Sequence, residues 1–131
     1  MTANSASGAF DVKLAAQTPD HKSAPLLARM LIDKQFHGPL EAISVGQMLT
    51  AGTDVKGSAV YVAIEQVTGT LDGRAGSFIL HHTGIMTRGE PKLSVSVVPD
   101  SGTGELKGIT GSMNIKVEGG KHSYVFEYKL P

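Results

Sequence analysis

The stretch VTGTLDGRAGSFILHH, residues 67–82, decides the fold, because a turn signal lies between two strand-like runs. Asp72–Gly73 supplies two residues that tolerate positive φ angles, as a two-residue hairpin turn requires. The length of such a turn fixes how the strands pair, so Leu71 is expected opposite Arg74. The stretch therefore predicts a β-hairpin with a defined register.

That register brings two ionisable side chains together. It pairs Glu65 with Leu80 and Ala63 with His82, so Glu65 and His82 become diagonal neighbours on one face of the hairpin. The same face carries Tyr61, Ala63, Val67, Phe78 and Leu80, with Arg74 near the turn. A carboxylate and an imidazole are thus predicted to meet in apolar surroundings.

The opposite face of the hairpin is also largely apolar, since it carries Val60, Val62, Ile64 and Ile79. A hairpin with two apolar faces has to be covered on both sides. Closure of the sheet into a barrel covers one face and removes the exposed strand edges. A subunit interface would cover the other, and we expect a homodimer because two-fold pairing is the commonest symmetric assembly.

The rest of the chain repeats the strand pattern. Its 131 residues suit one domain, and its 16 glycines are spread along it between short runs with a period of two. Residues 23–38 favour a strand, although Leu27, Met30 and Leu31 also fit helical spacing. The pattern predicts an all-β fold: a single closed eight-stranded antiparallel meander barrel over residues 8–131. Residues 1–7 are small and polar and are predicted to be disordered.

Composition excludes several classes of function. Twelve basic residues balance 12 acidic ones, which argues against a nucleic-acid partner. The chain has no cysteine and no run of about 20 apolar residues, so we expect no disulfide and no membrane span. The start of the chain does not resemble a signal peptide, and we expect a cytoplasmic protein. The glycines of SGTGELKG do not have phosphate-loop spacing, and no cofactor is predicted.

Four stretches resemble a bacterial family known only as a domain of unknown function, family 3224. They are GQML, YVAIEQVTGTLDGRAGSFILHHTG, VVPDSGTGELKGITGSM and the closing HSYVFEYKLP. The resemblance runs from about residue 8 to the C-terminus. It implies a barrel similar to that of the allene oxide cyclases, and it implies no established activity.

Three functions fit these residues. The first is a barrel that binds one small apolar molecule, with Tyr61, Arg74 and Phe78 as ligand-binding residues. The second is a structural or oligomerisation barrel with a filled core. The third is an isomerase or cyclase with Glu65 and His82 as catalytic acid and base, although a structural role for this pair is favoured.

A metal site is not predicted. His81 and His82 are adjacent on a strand, so they point to opposite faces and cannot share an ion. Metal binding would need His82 and Glu65 to be joined by a third ligand such as His122, which the sequence does not place.

Overall fold

A computed structural model describes residues 2–131 and shows one closed barrel of eight antiparallel strands, each paired with its neighbour in the chain. The predicted fold is confirmed. The strands are β1 (Thr2–Ala16), β2 (Leu27–Phe36), β3 (Leu40–Gly52), β4 (Ala59–Leu71), β5 (Arg74–Thr87), β6 (Glu90–Val97), β7 (Thr110–Glu118) and β8 (Lys121–Leu130). A single 3₁₀ turn, Gly104–Leu106, interrupts the loop between β6 and β7. Within the described residues no helix is long and apolar enough to cross a membrane.

The β4–β5 hairpin has the predicted register. Leu71 pairs with Arg74, Glu65 with Leu80 and Ala63 with His82. Asp72 and Gly73 have φ angles of 49° and 82°, which is the left-handed geometry that a two-residue primed turn needs. The turn therefore sets which side chains of both strands face the barrel interior.

The segment that also fitted helical spacing is a strand, because β2 pairs with β1 on one side and β3 on the other. The prediction of disorder at the N-terminus is wrong for residues 2–7, which belong to β1 and pair with β8 from Thr2 onward. Ala6 is 1% exposed and lies opposite Phe126. Met1, which the same prediction included, lies outside the described residues.

One end of the barrel, called here the closed end, is solid. Stacked rings of Phe78, Phe126 and Tyr128 fill the interior, with successive centroids 5.5 and 5.4 Å apart. Leu106 and Ile109, from the β6–β7 loop, are each 1% exposed and cap this end. These large buried side chains belong to the hydrophobic core, whose burial stabilises the barrel.

The other end, called here the open end, is not filled. It is bounded by the β1–β2, β3–β4, β5–β6 and β7–β8 connections. Leu14, Met86, Leu93 and Val117 occupy inward positions of their strands there, yet they are 42–61% exposed. Apolar side chains that face inward and remain exposed leave a hollow with an apolar lining.

Candidate functional site

Glu65 lies at the centre of a buried polar cluster between the two ends. Its carboxylate is fully buried and has three polar neighbours, each 2.8 Å away. Lys34 Nζ donates to Oε2, and Ser44 Oγ donates to Oε1. His82 Nε2 is the third neighbour and lies beside Oε2. We call Lys34, Ser44, Glu65, His82 and Tyr61 the polar cluster.

The strands deliver these residues to one place. Lys34 on β2 pairs with Ser44 on β3, and Gly46 on β3 pairs with Glu65 on β4. His82 on β5 follows two residues beyond Leu80, the partner of Glu65. Residues that pair across strands share a face of the sheet, and so do residues two apart on one strand. The side chains of Lys34, Ser44, Glu65 and His82 therefore all point into the barrel.

The Lys34 ammonium group is shielded from solvent as well as paired. Its side chain is 6% exposed. Nζ lies 5.0 Å from the centre of the Phe10 ring and 5.7 Å from that of Phe36, within range of cation–π attraction. The aromatic rings therefore help to hold the charge that neutralises Glu65.

The pKa of the Glu65 carboxyl reflects opposing effects. Burial by itself would raise it, but the close contact with His82 and the positive charge of Lys34 outweigh burial and lower the pKa to about 2. Glu65 is therefore ionised at neutral pH. It is held as one half of a buried ion pair rather than kept as a proton donor.

His82 is in close contact with Glu65 but is not aligned with it as a hydrogen-bond donor. Nε2 lies 2.8 Å from Oε2, yet it has no hydrogen bond of acceptable angle, so we treat the contact as electrostatic. The other ring nitrogen, Nδ1, lies 3.3 Å from the Tyr61 hydroxyl. His82 thus connects the carboxylate to Tyr61.

Tyr61 connects the polar cluster to the open end. Its ring lies over Gly84 on the neighbouring strand, where an added Cβ would be 2.2 Å from Cε1 of the ring. Glycine at this position makes room for the ring. The hydroxyl meets His82, and the ring forms part of the wall of the hollow described next.

A pocket of about 510 Å³ lies at the open end along β3–β6, lined mainly from inward positions and, at the strand ends, also from outward ones such as Val60 and Ile85. Its lining is almost entirely apolar. Among the lining residues are Met48, Thr50, Tyr61, Gly84, Met86 and Leu93, all at inward positions. The volume falls within the range of small-molecule sites. Tyr61 belongs to both the pocket and the polar cluster.

Not all of the ligand residues predicted from the sequence come together. Tyr61 lines the pocket, but Phe78 is 1% exposed and stacks on Phe126 in the solid half of the barrel. Arg74 is exposed and begins β5 beside the turn at the closed end. The structure thus separates Phe78 and Arg74 from the pocket.

Lys34 and Ser44 are members of the polar cluster that the sequence reasoning missed. A signal for Lys34 was present, because Met30, Ile32 and Phe36 alternate on one face of the segment when it is read as a strand. Lys34 falls on that same face, so a charged residue was due to point into the core. A buried lysine requires a partner, and Glu65 was the inward-facing carboxylate.

Within residues 2–131 no group of three residues of metal-ligating type comes together. His122, the third ligand considered above, pairs with Phe10 across β8 and β1, and the two rings lie 5.2 Å apart. The His122 ring therefore packs against the Phe10 ring.

The sequence profile of a family described as "Protein of unknown function (DUF3224)" matches residues 6–128. The chain belongs to the DUF3224 family. A crystal structure of a DUF3224 protein of unknown function from Shewanella oneidensis MR-1 is 50% identical to it, with a TM-score of 0.93. That comparison covers 99% of this chain and 98% of the Shewanella chain. No curated protein matches.

Proposed function

We propose that this DUF3224 protein binds one small apolar molecule at the open end of its barrel. The observation that carries the proposal is the position of Tyr61. Its ring lines an apolar pocket of about 510 Å³, and its hydroxyl contacts a buried polar group, His82. An apolar wall with a few placed polar groups is the usual composition of a small-molecule site.

A ligand with an apolar body and a neutral polar tip suits this arrangement best. The wall offers aliphatic and thioether side chains, and Leu93 and Met86 present exposed apolar surface. Glu65 and Lys34 already neutralise each other, so the polar cluster adds no formal charge beside the Tyr61 hydroxyl; Lys92, an exposed residue of the pocket lining, carries the charge nearest the ligand's solvent side. The Tyr61 hydroxyl is the polar group shared with the pocket.

Binding fits Glu65 better than acid catalysis does. A general acid at neutral pH needs a raised pKa, whereas the pKa of Glu65 is lowered to about 2. Its carboxylate oxygens are occupied by Lys34 and Ser44. We assign Glu65 to holding Lys34 and His82 in position beneath the pocket.

Substitution of Leu93 by arginine tests the proposal. Leu93 is 42% exposed at an inward position of β6, so the barrel should fold with a charge there, while an apolar ligand should be repelled. We expect the native protein to bind the neutral dye N-phenyl-1-naphthylamine saturably at one site per chain, measured by fluorescence titration. Leu93→Arg should weaken this binding at least about tenfold, a loss of about 1.4 kcal/mol.

Two controls locate the dye. Asn114→Arg adds the same charge on the outer face of β7 and should leave the affinity unchanged. Ile64→Lys alters the exposed outer face of β4 and should also leave it unchanged. Native affinity in Leu93→Arg, or loss of binding in Ile64→Lys alone, would reject the pocket as the ligand site.

A further inference from the structure

The outer surface of the barrel is divided into a charge-free part and a charged part. Residues 42–53 and 75–87 contain no Asp, Glu, Lys or Arg. Across residues 59–71 the one charged side chain is Glu65, which faces inward. Glu41 and Arg74 are exposed charged residues at the closed-end ends of β3 and β5. Beyond them, the outer face of β3, β4 and β5 carries no Asp, Glu, Lys or Arg.

The charged part lies on the other side of the barrel. Outward positions of β1, β7 and β8 carry charges of both signs at short intervals. They include Asp11, Lys13, Lys116, Glu118, Lys121, Glu127 and Lys129. Such a surface is typical of a protein face exposed to solvent. It differs strongly from the outer face of β3–β5 in its content of charged residues.

The charge-free part is strongly apolar and continuous across strands. Leu49 pairs with Val62, and Val60 pairs with Ile85, so apolar side chains lie next to one another in rows. Seven large apolar residues on the outside of β3–β5 are 38–61% exposed, and two more extend the surface onto β2, where Arg29 and Asp33 share the outer side. They are Leu27, Leu31, Ile43, Val45, Leu49, Val60, Val62, Ile64 and Ile85. We call this surface the apolar face.

We propose that the apolar face packs against the same face of a second copy of this chain. The proposal does not require the pocket to bind a ligand, because seven of the nine residues of the apolar face lie outside the pocket lining; Val60 and Ile85 belong to both. The partner is a second copy because the β3–β5 part of this face offers no charge pattern for a charged partner to complement, and the β2 part carries one charge of each sign, Arg29 and Asp33. Two-fold pairing of one self-complementary patch is also the commonest symmetric assembly.

The area of the apolar face matches what such a pairing needs. Nine aliphatic side chains that are each about half exposed present on the order of 800 Å², which is about what each partner contributes to a stable interface of standard size. A patch of this size exceeds the roughly 300–600 Å² of the largest apolar patch on a typical monomer. Depletion of charge is also the compositional mark of an interface core.

Closure of the barrel restricts how two copies can meet. The strands of the apolar face are paired along their length on both sides, and the one weakly paired seam, between β6 and β7, lies away from it, so a partner cannot extend this face by adding a strand at an edge. Contact has to be made face to face through side chains. His81, near the middle of this face, already has a partner, since one ring nitrogen lies 2.8 Å from Ser96 Oγ.

Sedimentation of the native chain and of two lysine variants tests the proposal. We expect the native chain at 10–100 µM to sediment at twice its 13.7 kDa mass. Ile64→Lys places a charge at the centre of the apolar face and should shift the mass to that of one chain. Val117→Lys is a matched control, because Val117 is also 61% exposed but lies at the open end on β7. It should remain at twice the chain mass.

Three results would overturn the proposal: a single-chain mass for the native protein, an assembly that survives in Ile64→Lys, or an assembly of three or more copies. Far-ultraviolet circular dichroism and urea unfolding of Ile64→Lys establish that it is folded. A second measurement does not depend on disrupting the interface. The chain has no cysteine, so Thr68→Cys, at the edge of the apolar face beside Ile43, carries a single spin label, and two-fold pairing predicts a label-to-label distance that Ser123→Cys, on the polar side, does not share.

Discussion

The Glu65→Gln variant is expected to unfold with a free energy about 3–5 kcal/mol lower than that of the native chain. The substitution removes the negative charge beside Lys34, whose side chain is 6% exposed and 2.8 Å from the carboxylate. A buried ammonium group without a counter-charge pays its desolvation cost in full. Urea unfolding at pH 7 measures the loss.

Glu41→Gln provides a matched control for this substitution. Glu41 lies on the neighbouring strand β3, its side chain is 56% exposed, and it also accepts a hydrogen bond from a side chain, that of Gln35. An exposed carboxylate of this kind contributes little, so its loss should change stability by less than about 1 kcal/mol. Equal losses in the two variants would contradict a special role for the Glu65–Lys34 pair.

A double variant separates the cost of an unpaired charge from the value of the pair. Lys34→Met combined with Glu65→Leu removes both charges and keeps the volume apolar. We expect it to recover most of the stability that Glu65→Gln loses, because replacing a whole buried pair by apolar residues is often neutral or stabilising. If the double variant were the least stable of the set, the ion pair would be a net source of stability.

The sequence predicts the hairpin and its register because both are local. A two-residue turn at Asp72–Gly73 determines every pair along β4 and β5, including the approach of Glu65 to His82. The partnership of Glu65 with Lys34 spans 31 residues and crosses from β2 to β4. This contact depends on the registers of two successive strand pairs, β2–β3 and β3–β4. No single turn signal determines both registers, so the contact is visible only in the folded barrel.

The N-terminal strand was missed for a different reason. Residues 2–7 are small and polar, a composition typical of a disordered terminus. In the barrel, β1 lies opposite the aromatic residues of β8: Ala6 pairs with Phe126 and Gly8 with Tyr124. A Cβ added at Gly8 would lie 2.2 Å from the His37 carbonyl oxygen and 2.9 Å from the Tyr124 hydroxyl, which itself donates to that carbonyl. Small residues are needed there to leave room for large rings, and that requirement comes from a segment more than 100 residues away.

The low pKa of Glu65 predicts how the native chain and Glu65→Gln respond to acid. The pKa is lowered from an ordinary value of 4.5 to about 2, so the stability that ionised Glu65 contributes is present above pH 4.5 and is lost as the pH falls towards 2. The loss is on the order of 3 kcal/mol. All other carboxylates are common to both proteins, so the difference between their unfolding free energies isolates this one group.

We expect the unfolding free energy of the native chain to exceed that of Glu65→Gln by a constant amount from pH 7 to about pH 5. Below pH 5 this difference should shrink steadily, because a protonated glutamate and a glutamine are neutral side chains of similar shape. Urea unfolding at half-unit steps from pH 7 to 2.5 measures it. Parallel curves over the whole range would show that Glu65 has the same pKa in the folded and unfolded chains, and they would contradict the buried ion pair. Converging curves would assign the stability lost by Glu65→Gln at neutral pH to the charge of the carboxylate rather than to its shape.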